Sequence, residues 1–443
     1  MPVSPNEQNR LAWMVVSLLF LGSVLNYIDR AVLGVVKPQI LAELSLTNVD
    51  YGLAVNAFLI TYMILYVLGG RLADRLGSRR TFTLTICFWS IANMLHAVVQ
   101  GLAGLCFFRA LLGIGEGGYY PTAMRGSAEW FSAKNRAKAV GIFLCGISIG
   151  ALLAPPLVAW FALHFGWRAA FLATGAMGFL LVPPWLVLHR RVRVVYGTAD
   201  PAPNHDADPE VAASADEDLS LSEVLSRWKY WLVLSARALT DGAWYFYLFW
   251  MPGYFQDVRG FDLQMVGKWL WIPYLAADLG ALGGAWASSL LIQRGFSVDL
   301  GRKAVLIPLA LLGVLGALAH FVDAPFLAVA LISVALFGHL SWASNIHTAI
   351  SEITPPRHLA VLYGITGAAG TAVGALTQPL IGFMVDFGGY APTFLGVGAA
   401  YVLAVCLLLA AGRIERIRRV VPVADTEPRR ALEASPAALE INA

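Results

Sequence analysis

A dozen stretches of this 443-residue chain are each long and apolar enough to cross a bilayer, and that pattern leaves little choice of fold. A helix needs about 20 apolar residues to span the hydrocarbon. The stretches fall near 12–36, 52–72, 80–100, 102–124, 137–162, 168–188, 230–256, 265–293, 303–321, 325–350, 359–386 and 391–412. They lack the period-two alternation of a membrane strand. In lipid the backbone must satisfy its own polar groups, so runs of this length read as helices. Composition agrees: 58% hydrophobic residues, 13% charged, 42 glycines and a mean hydropathy of +0.66 exclude a soluble globular enzyme. The expected fold class is an all-α polytopic membrane protein, twelve transmembrane helices in two six-helix halves.

Lys and Arg crowd alternate loops. Arg71, Arg75, Arg79 and Arg80 follow the second stretch; Lys134, Arg136 and Lys138 the fourth; Arg190, Arg191 and Arg193 the sixth; Arg302 and Lys303 the eighth. Arg413, Arg416, Arg418 and Arg419 follow the twelfth. Positive loops stay in the cytoplasm, so both termini are expected there. The net charge of +3 then describes orientation and not nucleic-acid binding. Cys87, Cys106, Cys145 and Cys406 fall within spans, which implies no disulfide framework. The first stretch carries Asp29 and Arg30, unlike a cleavable signal peptide, and is expected to remain as the first span.

Residues 189–228 interrupt the pattern. Thr198 to Asp218 is rich in Ala, Pro, Asp and Glu, with little to bury, and reads as a cytoplasmic linker. The expected organisation is a first half at 1–188, this linker, a second half at 229–412 and a cytoplasmic tail at 413–443, disordered after Arg419. The halves echo each other. Gly69 to Arg80 closes the second span; Gly283-Gly284-Ala285-Trp286, Arg294-Gly295 and Gly301-Arg302-Lys303 close the eighth. Such internal repeats accompany transporters built around a central site. Ser288 stands near the position that Asp74 holds in the first copy, so the two loops are not equivalent.

Three arginines lie inside spans: Arg30, Arg109 and Arg237. A charge at bilayer depth costs at least about 2.5–3.5 kcal/mol, so it faces a cavity or a partner. Asp29 adjoins Arg30, and Glu116 lies seven residues after Arg109, two turns along one helical face. Gly113, Gly115, Gly117 and Gly118 permit close helix approach there, and Pro121 weakens the helix beyond. Spacing leaves two readings of Arg109 and Glu116: a cavity-facing functional pair, or an ion pair holding the bundle together. Arg237 and Asp241 are i and i+4, which favours a local ion pair over substrate contact. Fixed positive charge beside titratable carboxylates suits a protein that moves or senses an anion.

An aromatic run from Trp244 to Trp250 follows Asp241, with Pro252 beyond it. Rings stack on the C–H faces of polyols and tyrosines bond their hydroxyls. Trp244 and Tyr245 are therefore candidate cavity residues, although an aromatic belt at the interface has a similar composition and Trp250 fits one. Tyr62, Trp342, Asn345, Thr377 and Gln378 are further polar positions within spans. His320, His339 and His347 read as packed hydrogen-bonding residues and form no metal-ligand pattern. No nucleophile–base pair or phosphate loop stands out. The expectation is no enzyme and no cofactor, with a small organic anion, protons and lipid as partners, no nucleic acid, and a monomer as the working unit.

The 69–80 segment resembles the cytoplasmic loop signature of the major facilitator superfamily, Gly-x-Leu-Ala-Asp-Arg-x-Gly-x-Arg-Arg. Its basic residues complement the negative end of a helix dipole, and Asp74 is placed to bridge to a basic group or a helix N-terminus. The expected role is a conformational latch formed by Gly70, Asp74, Arg75, Gly77, Arg79 and Arg80. Asn26-Tyr27-Ile28-Asp29-Arg30, together with the fourth-span residues, resembles the anion:cation symporter family. That resemblance implies that Arg30, with Tyr27 beside it, binds a substrate carboxylate. It also implies that Asp29 and Glu116 take up coupled protons and that Arg109 interacts with these acids. The seventh span, Leu239 to Pro252, is similar to the bacterial hexuronate-transporter branch, which implies a bacterial inner membrane. The fifth span lacks the Gly-Pro motif of drug:proton antiporters, which favours symport over export. The function expected is proton-coupled uptake of an organic monocarboxylate, a hexuronate or aldonate, by alternating access. Alternatives are an exporter or antiporter of an organic anion, an aromatic-carboxylate importer, and a non-transporting receptor.

Overall fold

The structure, a computed structural model, describes residues 5–131, 133–196, 219–355 and 358–417. Helix α1 (Pro5–Val35) is the first span, and the short α2 (Lys37–Leu44) follows it. Helix α3 (Asn48–Met94) carries the second and third spans. Thr47 and Asp50 start it with a reciprocal capping box, each side chain bonding the other's backbone N–H. It doubles back at Gly77, whose φ of 76° and ψ of 162° an L side chain adopts only with strain. The fourth span is α4 (Leu102–Gly117) and α5 (Tyr119–Trp130), divided at Gly118. Helix α6 (Ala133–Phe165) is the fifth; α7 (Trp167–Phe179) and α8 (Val182–Tyr196) form the sixth.

A capped turn, α9 (Leu221–Leu225), precedes the seventh span, α10 (Trp228–Asp257). The eighth span is α11 (Leu263–Trp269) with α12 (Ile272–Gln293). Then come α13 (Val298–Leu318), α14 (Pro325–Ile353), α15 (Leu359–Gly388) and α16 (Ala391–Ala410), the ninth to twelfth. Among the described residues nine helical stretches are apolar and long enough to cross a membrane on hydropathy alone, and the bent α3 counts as two of the twelve. Outside that set are the fourth span, cut short at Gly118, and the seventh, which is rich in Tyr and Trp. Those two carry much of the polar chemistry.

Two expected boundaries differ. Helix α8 runs on to Tyr196, eight residues past 188, and α9 forms within 189–228, because Ser220 and Glu223 make a capping box. The expected linker core at 198–218 and the tail after residue 417 lie outside the described residues. The first tail residues are held: the Ile414 N–H donates to Asp299 at 2.8 Å and the Ile417 N–H to the Ile353 carbonyl at 3.0 Å.

Across the middle of the bundle α1 packs on α10, the first arm of α3 on α15, and α6 on α11 and α12. The second-to-eleventh and fifth-to-eighth contacts exchange when each span is swapped for the one six places away. Among the described residues, a cluster of hydrogen bonds joins the first six spans to the last six at one end, away from the termini. There the Lys37 ammonium bonds Asp257 at 2.9 Å and the Tyr390 hydroxyl at 2.8 Å. Gln39 donates to Gln256 at 3.0 Å, and Asp386 caps the start of α3 by accepting from the Asn48 and Val49 N–H groups at 3.2 and 3.0 Å.

Candidate functional site

Arg30 lies in the middle of the bundle with 2% of its surface exposed. Its Nη2 and Nε donate to one oxygen of Glu116 at 2.9 and 3.2 Å, and Nη2 also donates to the Asn26 side-chain oxygen at 3.1 Å. Three rings enclose the guanidinium: Tyr62, Tyr27 and Phe58, at 4.6, 4.7 and 5.2 Å to their centroids. Ring faces stabilise a cation most where water is excluded. The third nitrogen, Nη1, makes none of these bonds. The site thus holds a planar cation with part of its fork spare, in the geometry that recognises a carboxylate.

On either side of Glu116, α4 lies unusually close to α3. A Cβ on Gly113 or Gly117 would overlap the carbonyls of Phe58 and Tyr62. The structure pairs Glu116 with Arg30 and not with Arg109, so the ion pair suggested by the seven-residue spacing is replaced by one across spans. Arg109 is fully buried, and none of its three guanidinium nitrogens has a hydrogen-bond partner. The Phe58 ring lies 4.5 Å from it and the Phe249 ring 5.7 Å. A buried charge without a partner is costly, so Arg109 holds an unmet demand for an anion.

Asp29 faces elsewhere. Adjacent helical residues point about 100° apart, so it turns from Arg30 toward the third and sixth spans. There it accepts from Asn93 Nδ2 at 2.8 Å, and Asn93 in turn donates to Thr174 at 2.9 Å.

From the second half, Tyr245 places its hydroxyl 3.4 Å from Thr371 and stacks on Phe249, the ring beside Arg109. Trp244 stacks on His339 with centroids 5.5 Å apart. Trp342 donates to Thr240 at 3.0 Å and is fully buried. Asn345, also buried, donates to the Ser341 carbonyl at 2.9 Å and accepts from Arg302 at 3.4 Å. Gln378 accepts from the Trp250 indole at 2.9 Å and donates to the Gly374 carbonyl at 2.9 Å. Trp342, Asn345 and Gln378 are therefore committed to neighbours and offer the cavity little. Trp250 has no exposed surface, so it is a packing residue and not part of an interface belt.

At the terminal end, Asp74 bonds Arg125 on α5 at 2.8 Å, and Arg125 bonds Glu129 at 2.5 Å. Ser78 donates to Glu129, which locks the Gly77 bend onto the fourth span. Gly70 has open space around it, and Arg75 and Arg80 lie at the same end of α3. The carbonyl of Arg79 accepts from Trp185 at 3.1 Å. In the second half Arg302 takes over: it bonds Glu352 at 2.9 Å and Ser288 at 2.7 Å. The sequence reading missed Phe58, Asn93, Arg125 and Lys37. A signal existed for Phe58: Tyr51, Phe58, Tyr62 and Tyr66 recur at spacings of seven and four, one face of a helix.

Twelve spans and a buried arginine–carboxylate pair enclosed by Tyr27, Phe58 and Tyr62 are the features of a membrane transporter. The family profile described as Major Facilitator Superfamily matches residues 19–298. The chain belongs to the major facilitator superfamily, and it is a transporter and not an enzyme. It is similar to the hexuronate transporter of Escherichia coli (strain K12), 29% identical over 406 residues, covering 90% of this chain and 92% of the relative. The D-galactonate transporter of Escherichia coli O6:H1 is 28% identical, covering 94% and 99%. A probable galactarate/D-glucarate transporter of Bacillus subtilis is 28% identical, covering 93% and 94%. Among solved structures, a bacterial homologue of the human lysosomal transporter Spinster, inward-facing and unoccupied, superposes with a TM-score of 0.69 at 19% identity, covering 90% of this chain and 95% of that one. The inward-open Escherichia coli xylose transporter gives 0.67 at 19% identity and the same coverage.

Proposed function

We propose that this transporter imports a sugar acid, a hexuronate or aldonate, together with protons, across the inner membrane of a bacterium. The observation that carries the reading is the Arg30–Glu116 pair, 2.9 Å apart, 2% and 0% exposed, and drawn from two different spans. Carboxylate and proton then compete and cooperate at one place. With Glu116 ionised, Arg30 is occupied. A proton on Glu116 removes the negative charge and leaves Arg30 free for the substrate carboxylate, while a bound carboxylate raises the proton affinity of Glu116. Arg109, already without a partner, steadies the negative charge that arrives. Asp29 is a second proton carrier, set back from the substrate and coupled to Glu116 by charge. Tyr27, Tyr62 and Tyr245 supply ring faces and hydroxyls for a polyol. Names of relatives support the substrate class: hexuronate, galactonate and galactarate/glucarate transporters.

The basic loops support a cytoplasmic location for both termini, which makes the Lys37–Asp257–Tyr390 end the external one. With that end tied shut, we read this as the state open to the cytoplasm, and alternating access as rocking of the two halves. The twelve spans enclose the site within one chain, in line with a working monomer. The latch at Asp74, Arg75, Gly77, Arg79 and Arg80 closes the opposite end in the other state.

Uptake of labelled galacturonate, glucuronate and galactonate into proteoliposomes, with and without an inward proton gradient, tests the reading. Gradient-driven accumulation that disappears in Arg30→Ala is expected. Folded protein that accumulates none of the three would end the sugar-acid assignment.

A further inference from the structure

We propose that the Arg237–Asp241 pair is a specificity element that restricts the cavity to monoanions, by reading the hydroxylated end of the substrate and turning away a second carboxylate. This rests on the sugar-acid reading above. Arg237 Nη2 lies 3.2 Å from Asp241 Oδ2, with side chains 13% and 19% exposed, so the pair is more open than Arg30 and Glu116. It lies toward the same rings: Asp241 rests on Gly370 of α15, one turn from Gly367, whose Cβ would meet the Tyr66 ring at 3.8 Å, and Tyr66 packs at 5.9 Å on Tyr62, which covers Arg30. Tyr245 lies one turn along the same helix.

The two pairs differ in one mechanical respect. Arg30 and Glu116 sit on separate helices, so movement or protonation can part them. Arg237 and Asp241 are i and i+4 on α10 and travel together in every state. Asp241 is also seated against Gly370 of α15, where any Cβ would overlap its carboxylate. The pair therefore adds a fixed dipole and no net charge. A second carboxylate arriving there meets Asp241 as a like charge at short range and an Arg237 already engaged, which is unfavourable in a site sheltered from water. Hydroxyl groups meet a carboxylate with acceptor capacity left over, which suits them. Arg237 Nε is buried with no hydrogen-bond partner, so the guanidinium has capacity that an anion would use once Asp241 were neutral.

The test is competition against labelled galacturonate uptake by full-length protein in proteoliposomes, with unlabelled galactonate (one carboxylate) and galactarate (two). In the native protein galactarate should compete more weakly than galactonate by on the order of tenfold, the scale of one charge-assisted contact. Asp241→Asn should raise galactarate relative to galactonate by a similar factor. The double variant Arg237→Gln with Asp241→Asn should cancel that gain, since no second cation remains. Equal competition by the two acids in the native protein overturns the proposal and leaves the sugar-acid reading intact. So does an unchanged ratio in a folded Asp241→Asn. If Asp241→Asn does not fold, the native ratio decides. Absence of competition by either acid, with no galacturonate uptake, removes the sugar-acid reading and this proposal with it.

Discussion

Arg30 is held by geometry that a lysine lacks. A guanidinium is planar, stacks between the Tyr27 and Tyr62 rings and still presents two parallel donors; an ammonium on a flexible stem does neither well. Arg30→Lys should therefore keep the charge and the fold but weaken substrate binding by roughly tenfold, read by competition binding on purified protein. Native affinity in that variant would mean the fork is not used. Arg30, Arg109 and Glu116 were legible in the sequence because charges inside apolar runs announce themselves. Which of them pair was not, because Arg30 and Glu116 are 86 residues apart and meet only through helix packing. The seven-residue spacing pointed to Arg109 and Glu116, and the approach of the first span to the fourth decided otherwise. Trp342, Asn345 and Gln378 were reasonable cavity candidates by polarity, but polarity within a span serves helix-to-helix hydrogen bonds equally well.

At the level of elements, the loop between the second and third spans shows why its glycine is where it is. Gly77 has φ of 76°, so Gly77→Ala forces a left-handed backbone on an alanine and should cost about 1–2 kcal/mol. A lowered melting temperature with α-helix content unchanged is the expected result, and a neutral effect would contradict it. The tied end is a second such element. Lys37 has no exposed surface and links α2 to the ends of α10 and α16, so Lys37→Ala should favour the state open at that end. A single cysteine at Val55, fully buried here, should then label faster with an impermeant thiol reagent added outside. Unchanged labelling would show that the Asp386 cap suffices alone. Glu43 on α2 gives a pH signature. Hydrogen bonds from the Trp167 indole and Arg168 hold its carboxyl below the usual range. A group with a depressed value contributes above its unfolded value and loses that contribution as pH falls through the folded one. Hydrogen exchange at the start of α7 should therefore speed up below about pH 4, and Glu43→Gln should remove that step. Apolar run length made the twelve spans legible. Run length says nothing of caps, which is why α8 overran its expected end and α9 was missed.

For the whole molecule, the second-to-eleventh and fifth-to-eighth contacts correspond when the halves are exchanged, and under the proposed alternating access they give two ways of closing one space. The halves share an architecture but not their chemistry. The first contributes a pair that can separate, Arg30 and Glu116; the second contributes one that cannot, Arg237 and Asp241. In the proposed mechanism coupling belongs to the first half and selectivity to the second. The central claim is that Glu116 is the switch through which a proton releases Arg30 to the substrate. The measurement that tests it most directly is galacturonate movement by Glu116→Gln in proteoliposomes under an inward proton gradient. The account predicts that this variant still moves substrate, because Arg30 is permanently free, but concentrates it far less than the native protein, because only Asp29 remains to carry a coupled proton. Concentration to the native level by Glu116→Gln would contradict it.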